Sequence, residues 1–103
     1  MQVINPSSLL QHLKESAELH TLVRDFVLTY PNQVFTSAVW LKNGTIRLNE
    51  GLKNASDLRR PGLYFLDELA HETPYPHAVT ILAGSSLWLV TKSDLNAYLV
   101  TQD

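Results

Sequence analysis

Residues 67–77 gather two histidines and three carboxylates: Asp67-Glu68-Leu69-Ala70-His71-Glu72, then His77. Imidazole and carboxylate are ligands for zinc or non-haem iron. If 67–72 is helical, Glu68 and His71 share a face at i, i+3. Pro74 and Pro76 stiffen the path to His77, and extended chain advances about 3 Å per residue, so His71 and His77 tend to diverge. There is no His-Glu-x-x-His pattern and no second cluster. Glu68, His71, Glu72 and His77 are thus the metal candidates, with a solvated acidic loop as the competing reading. A small metal-binding protein or enzyme centred on them is one functional alternative, and no cofactor is implied.

Other chemistry has less to stand on. Ser85 and Ser86 lie in Ala-Gly-Ser-Ser-Leu, which lacks the Gly-x-Ser-x-Gly of a nucleophile elbow. His12 and His20 read as surface or boundary side chains of an N-terminal helical region. Gly44, Gly51, Gly62 and Gly84 each have a turn to make, and no phosphate-binding glycine pattern occurs. Cysteine is absent, which removes disulfides, thiolate metal sites and cysteine nucleophiles together. No catalytic residues are assigned.

Charge and aromatics point elsewhere. The 103-residue chain has a formal net charge of −2, against the strongly basic surface of a generic nucleic-acid binder. The charge is uneven. Residues 42–60 hold Lys42, Arg47, Lys53, Arg59 and Arg60 against Glu50 and Asp57, whereas 61–91 hold Asp67, Glu68 and Glu72 and no Lys or Arg. A DNA-associated accessory factor using the 47–60 basic stretch is the second alternative. Trp and Tyr are frequent at binding hot spots, and a domain of this size need not bury Trp40, Tyr64, Tyr75 and Trp88 together. Trp40, Arg47, Arg59, Arg60, Tyr64 and Tyr75 are therefore the candidate protein-binding residues. The tail from Trp88 to Leu99 resembles the closing strand and helix of small excisionase-type helix-turn-helix domains. The upstream helices with a basic recognition face that such domains need are missing.

The elements that must position these residues follow from local signals. Asn5-Pro6 opens a helix: Asn caps, and Pro suits the first helical position. Leu9, Leu10 and Leu13 mark its face. A second stripe, Leu19, Leu22, Val23, Phe26, Val27 and Tyr30, has helical spacing but is out of phase with the first. It predicts a second helix, capped by Ser16 and ended by Pro31, in which Phe26→Ala costs about 3–5 kcal/mol if buried. Asn43-Gly44 and Gly84-Ser85 each separate two β-rich runs, the pattern of tight hairpins. In the first hairpin Leu41 faces Ile46, with Trp40 opposite Arg47. In the second Ile81 faces Trp88, and both faces are apolar, as for central strands. Asn54 to Asp57 reads as a turn or cap for a short helix through Arg60. Residues 63–71 read as a strand at 63–66 running into a helical turn. Thr91-Lys92-Ser93-Asp94 is a capping-box pattern opening a final helix.

The expected architecture is a single α+β domain over residues 1–103. Two N-terminal helices pack on a mostly antiparallel sheet of four or five strands, closed by a C-terminal helix. No signal peptide or apolar stretch of membrane-spanning length is visible, so a cytoplasmic protein is expected. The leading functional expectation is a non-enzymatic binding or regulatory protein acting by protein–protein contact, as small regulators and inhibitors encoded by mobile elements or phages do. Its partner is another protein, with homodimerisation one way to cover the doubly apolar strands.

Overall fold

The computed structural model describes residues 5–48 and 56–101. The element order is α1 (Pro6–Ser16), β1 (His20–Thr21), β2 (Phe26–Thr29), β3 (Ser37–Asn43), β4 (Ile46–Leu48), β5 (Ser56–Leu58), β6 (Gly62–Tyr64), α2 (Leu66–His71), β7 (Val79–Ile81), β8 (Ser86–Thr91) and α3 (Lys92–Thr101). All named strand pairs are antiparallel and form two four-stranded sheets. Sheet I has the order β1-β8-β3-β6 and sheet II the order β2-β7-β4-β5. The class is α+β, but the single sheet with two N-terminal helices is not what forms.

The two orders are one order. β1/β2, β7/β8, β3/β4 and β5/β6 each place one strand in each sheet, in the same lateral sequence. Four passages of chain therefore lie side by side, and each changes sheet part-way along. Asn43-Gly44 and Gly84-Ser85 sit at these changes and are not hairpin turns. β3 pairs with β8 and β6, and β4 pairs with β7 and β5, so Leu41 faces Leu87 and Gly62 while Ile46 faces Ile81 and Leu58. Trp40 pairs with Trp88 and Leu63 and not with Arg47.

The corner is held by hydrogen bonds between passages. Ser85, nearly fully buried, accepts the Thr45 N–H on its Oγ at 3.0 Å. The Leu82 N–H donates to the Thr45 carbonyl at 3.0 Å. On the other side, Leu22 N–H donates to the Ser85 carbonyl at 2.9 Å, and Gly84 N–H donates to the Leu22 carbonyl at 2.8 Å. Asp25 Oδ1 accepts the Ala83 N–H at 2.8 Å. Gly44 has φ +113°, and a Cβ built on it would lie 2.2 Å from Ser85 Oγ. Both its backbone conformation and its contact thus require glycine.

Alternation along β3 and β8 then sorts the core. Val39, Leu41 and Leu87 join Leu28, Phe35, Ile46, Val79 and Ile81 in a cluster shared by the two sheets. The intervening Ala38, Trp88 and Val90 join Leu9 and Leu13 of α1, Leu69 of α2 and Tyr98 of α3. Sheet I is therefore covered on both faces, by sheet II on one and by the helices on the other. That is why β8 is apolar on both sides and lies between β1 and β3.

The second N-terminal helix is absent. Residues 20–21 and 26–29 are strands. Ser16 closes α1, with its Oγ donating to the His12 carbonyl at 2.7 Å, and caps nothing after it. Thr21, Val23, Val27 and Thr29 are β-branched, and Phe26 and Tyr30 are aromatic, all residues that suit a pleated surface. Ladder partners on β7 and β8 decide the conformation, and these lie some sixty residues away in sequence. Val23 is 89% exposed, Tyr30 59% and Phe26 40%, so the stripe is no buried face and the 3–5 kcal/mol expected for Phe26→Ala does not apply. Residues 56–58 are likewise strand β5 and not the start of a helix. Asn54 and Ala55 lie outside the described residues.

Other expectations hold. Asn5 Oδ1 accepts the N–H groups of Ser7 and Ser8 at 2.9 and 3.2 Å, with Pro6 opening α1. Thr91 Oγ1 donates to Asp94 Oδ2 at 2.9 Å and accepts the Asp94 N–H at 3.0 Å, so the capping box forms with Asp as its acid. Strand β6 runs into α2 as expected for 63–71.

The corner makes a stability prediction. Gly44→Ala forces a side chain into left-handed backbone and into Ser85, and is expected to cost at least about 2 kcal/mol. Ser85→Ala leaves the Thr45 N–H without its acceptor and is expected to cost about 1–3 kcal/mol. Urea unfolding of the two variants checks both.

Candidate protein-binding edge

β6 is the outer strand of sheet I and β5 the outer strand of sheet II, so residues 56–65 form one continuous edge of the molecule. Four of the candidate binding residues lie on or beside it. Arg47 faces Asp57 directly across the β4–β5 ladder. Its Nε and Nη2 donate to the two carboxylate oxygens at 2.8 and 3.1 Å, a bidentate pair. Arg59 Nη2 donates to the same Oδ2 at 2.9 Å. Two guanidinium groups thus share one carboxylate, leaving one positive charge in excess, and exposed Arg60 follows. The hydrogen bonds from Arg47 hold the Asp57 carboxyl below its ordinary value, helped by the fields of Arg47 and Arg59 and opposed by burial.

Beyond Arg60 the edge turns aromatic. The Tyr64 hydroxyl donates to the Arg60 carbonyl. Phe65 has φ +69°, left-handed backbone that a bulky residue adopts at a cost of about 1–3 kcal/mol. That conformation lays its ring on Phe35, with centroids 4.8 Å apart and planes at 16°. Tyr64 stands 6.2 Å from Phe65 on one side and Tyr75 6.2 Å on the other. Tyr75 is fixed by its backbone: its N–H donates to the Gln33 carbonyl at 3.1 Å, and its carbonyl accepts the Asn32 N–H at 2.7 Å. Tyr64, Phe65 and Tyr75 are all half-buried, a ledge of ring surface continuous with Arg59 and Arg60.

Trp40 is not part of this ledge. It packs on the helix side of sheet I with Leu63, Leu66 and Leu10. Its indole Nε1 is buried with no hydrogen-bond partner among the described residues, an uncommon state for a buried polar atom. Lys53 and Glu50 lie outside the described residues.

The acidic–histidine segment does not converge. Among the described residues no group of three or more His, Asp or Glu side chains is placed to hold a metal ion. His71 Nδ1 donates to the Asp67 carbonyl at 2.9 Å within α2. Glu72 pairs with Lys92 of α3, and that hydrogen bond first, the lysine's field second, lowers its pKa. His77 stands edge-on to Tyr75, with centroids 6.2 Å apart. A cleft of about 330 Å³ lined by Ala70, Glu72, Lys92, Leu95, Asn96 and Leu99 lies between α2 and α3, with its lysine and carboxylate paired to each other. Ser85 spends its hydroxyl on Thr45 inside the corner. No helix among the described residues is long and apolar enough to cross a membrane.

Sequence reading missed two things here. Phe65 carries no signal beyond its place after Leu63-Tyr64. Val23, Phe26, Val27 and Tyr30, assigned to a buried helix, are exposed along the opposite edge, and Val34, left aside, is exposed in the loop that follows. Comparison with known proteins returns nothing: no family model, no curated protein and no solved structure matches the chain.

The Asp57 pairing has a pH signature. Its folded pKa is depressed, so the stabilisation is complete above the ordinary carboxylate pKa, near 4, and is lost as pH falls through the lower folded value. Asp57→Asn is therefore expected to lower Tm at pH 6–7 and to flatten its fall on the acid side of about pH 4. Melting curves of both proteins across that range test this.

Proposed function

We propose that the chain is a non-enzymatic binding protein that acts through protein–protein contact along the β5–β6 edge. The observation that supports this most is Phe65. Left-handed backbone at a bulky residue persists only where its surroundings impose it, and such strain clusters at functional surfaces. Here it builds a half-buried aromatic ledge beside two exposed arginines, the side-chain types that dominate binding hot spots. The outer strand adds a backbone ladder with no partner on its free side among the described residues, which an extended segment can join. The fitting partner is a protein that offers carboxylates to Arg59 and Arg60 and apolar or aromatic side chains to Tyr64, Phe65 and Tyr75. A DNA-associated role has less support, because Arg47 and Arg59 spend charge on Asp57.

Photo-crosslinking in the native cell tests the reading. A photoreactive residue at position 60 or 64 is expected to give a discrete adduct with another polypeptide, and one at Gln11 on α1 none. Paired charge reversal, Arg59→Glu with Arg60→Glu, is expected to reduce the adduct at 64 at least about tenfold, as loss of two interface cations does. Equal adducts at 11 and 64 would defeat the assignment.

A further inference from the structure

We propose that the opposite edge, β1 with β2, is a homodimer interface in which β2 strands of two copies pair antiparallel and Tyr30 of each seats in a corner cleft of the other. Four observations carry this.

First, β1 and β2 are the terminal strands of their sheets, and their outer sides pair with nothing among the described residues. Folded proteins guard such edges with lysines, prolines or inward charges, and between Leu19 and Tyr30 the charged residues are Arg24 and Asp25 alone. Second, the edge is apolar. Leu19, Val23, Phe26, Val27 and Tyr30 are all exposed. At about 150–250 Å² for a large, fully exposed side chain, they present roughly 500 Å² per copy. Two copies bury about 1,000 Å² from these side chains alone, the lower bound for a specific interface, before any backbone is counted.

Third, the edge is concave where β1 turns into β2. A cleft of about 440 Å³ lies there, lined by residues 18–26, with Leu19, Leu22, Val23 and Phe26 supplying its apolar wall. Fourth, the sequence of the strand complements itself. In an antiparallel pairing of β2 with its copy centred near Val27, exposed Tyr30 just after one strand lies level with exposed Arg24 just before the other. A guanidinium then meets an aromatic ring. No like charges oppose each other. Moving the centre to Phe26 sets Arg24 against Leu28 and Asp25 against Val27, which leaves both charges facing apolar side chains. The tyrosine that overhangs the end of β2 thus meets the cleft at the start of the same strand in its mate, the reciprocity that a twofold interface requires.

The occupant is a second copy and not a foreign strand, and the test separates the two. Sedimentation equilibrium of the full chain between about 1 and 100 µM is expected to show a species of twice its 11.6 kDa. Val27→Lys is expected to raise the dimer dissociation constant at least about 100-fold, and Tyr30→Ala at least about tenfold, with circular dichroism unchanged in both. Because the chain has no cysteine, Val27→Cys reports on register: residues at the axis lie within disulfide reach. Oxidation is expected to link two copies through position 27, whereas Arg60→Cys stays unlinked. A wild-type chain that remains monomeric at 100 µM overturns the proposal and leaves a foreign strand as the occupant. A dimer untouched by Val27→Lys, or one that Val27→Cys does not cross-link, overturns it as well. Tyr30 is linked through Gln33 to Tyr75 of the β5–β6 ledge, so the Val27 variants, which lie away from that link, separate this proposal from the ledge and its own test.

Discussion

The fold depends on one contact, between Ser85 and the Gly44-Thr45 step. Four passages of chain change sheet along the same line, and at that line the regular ladder is interrupted. The Ser85 hydroxyl stands in for a missing backbone acceptor by accepting the Thr45 N–H, while the Leu82 N–H donates to the Thr45 carbonyl. An amide buried at a bend without such partners carries a desolvation cost of about 1–3 kcal/mol. Gly44 lets the two passages approach to a distance that no Cβ permits. Remove this joint and the strands have no reason to fold over. The shared cluster of Val39, Leu41, Ile46 and Ile81 would then open to water.

Both turn dipeptides were legible in the sequence as points where the backbone needs positive φ, and Gly44 and Gly84 have it. What they join was not legible. A hairpin and a sheet-to-sheet corner use the same glycine, and they differ only in whether the next strand returns beside the last one or travels on to another sheet. That choice belongs to β6, β7 and β8, none of which is adjacent to β3 or β4 in sequence. The caps at Asn5 and at Thr91 with Asp94 were read correctly because their whole chemistry lies within four residues, whereas Ser16 was assigned to a helix that does not form. The 19–30 stripe failed for the reason the corners failed. Six apolar residues at helical spacing also fill both faces of a bent edge strand, and periodicity alone does not distinguish the two.

The candidate site shows the same division. Arg47, Arg59, Arg60, Tyr64 and Tyr75 were named from type and composition. Four of these five touch the β5–β6 edge directly, and Tyr75 reaches it through Phe65. Counting charges along 42–60 suggested a basic patch, but a count has no geometry. Asp57 stands opposite Arg47 in the ladder and beside Arg59, so it cancels charge where the count saw surplus. Trp40 was misplaced because its assignment rested on the hairpin that does not form. The carboxylates and histidines of 67–77 were close in sequence and stayed apart in space, with Glu72 drawn to Lys92 across twenty residues.

Covering sheet I on both faces has a consequence for how the molecule can make contacts. Its apolar face residues are consumed by sheet II and by the helices, so neither face of the central sheet is free to bind anything. The free backbone edges of the ladders lie at the lateral ends of the strand order, and the two ends differ in chemistry. One is short, arginine-bearing and aromatic. The other is largely apolar and concave, with Arg24 and Asp25 adjacent and Glu18 at its margin. A strand added at either end continues the ladder without disturbing the core. The two ends are separated by β8 and β3 in sheet I and by β7 and β4 in sheet II, while the 30–33 turn links Tyr30 at one end to Tyr75 at the other.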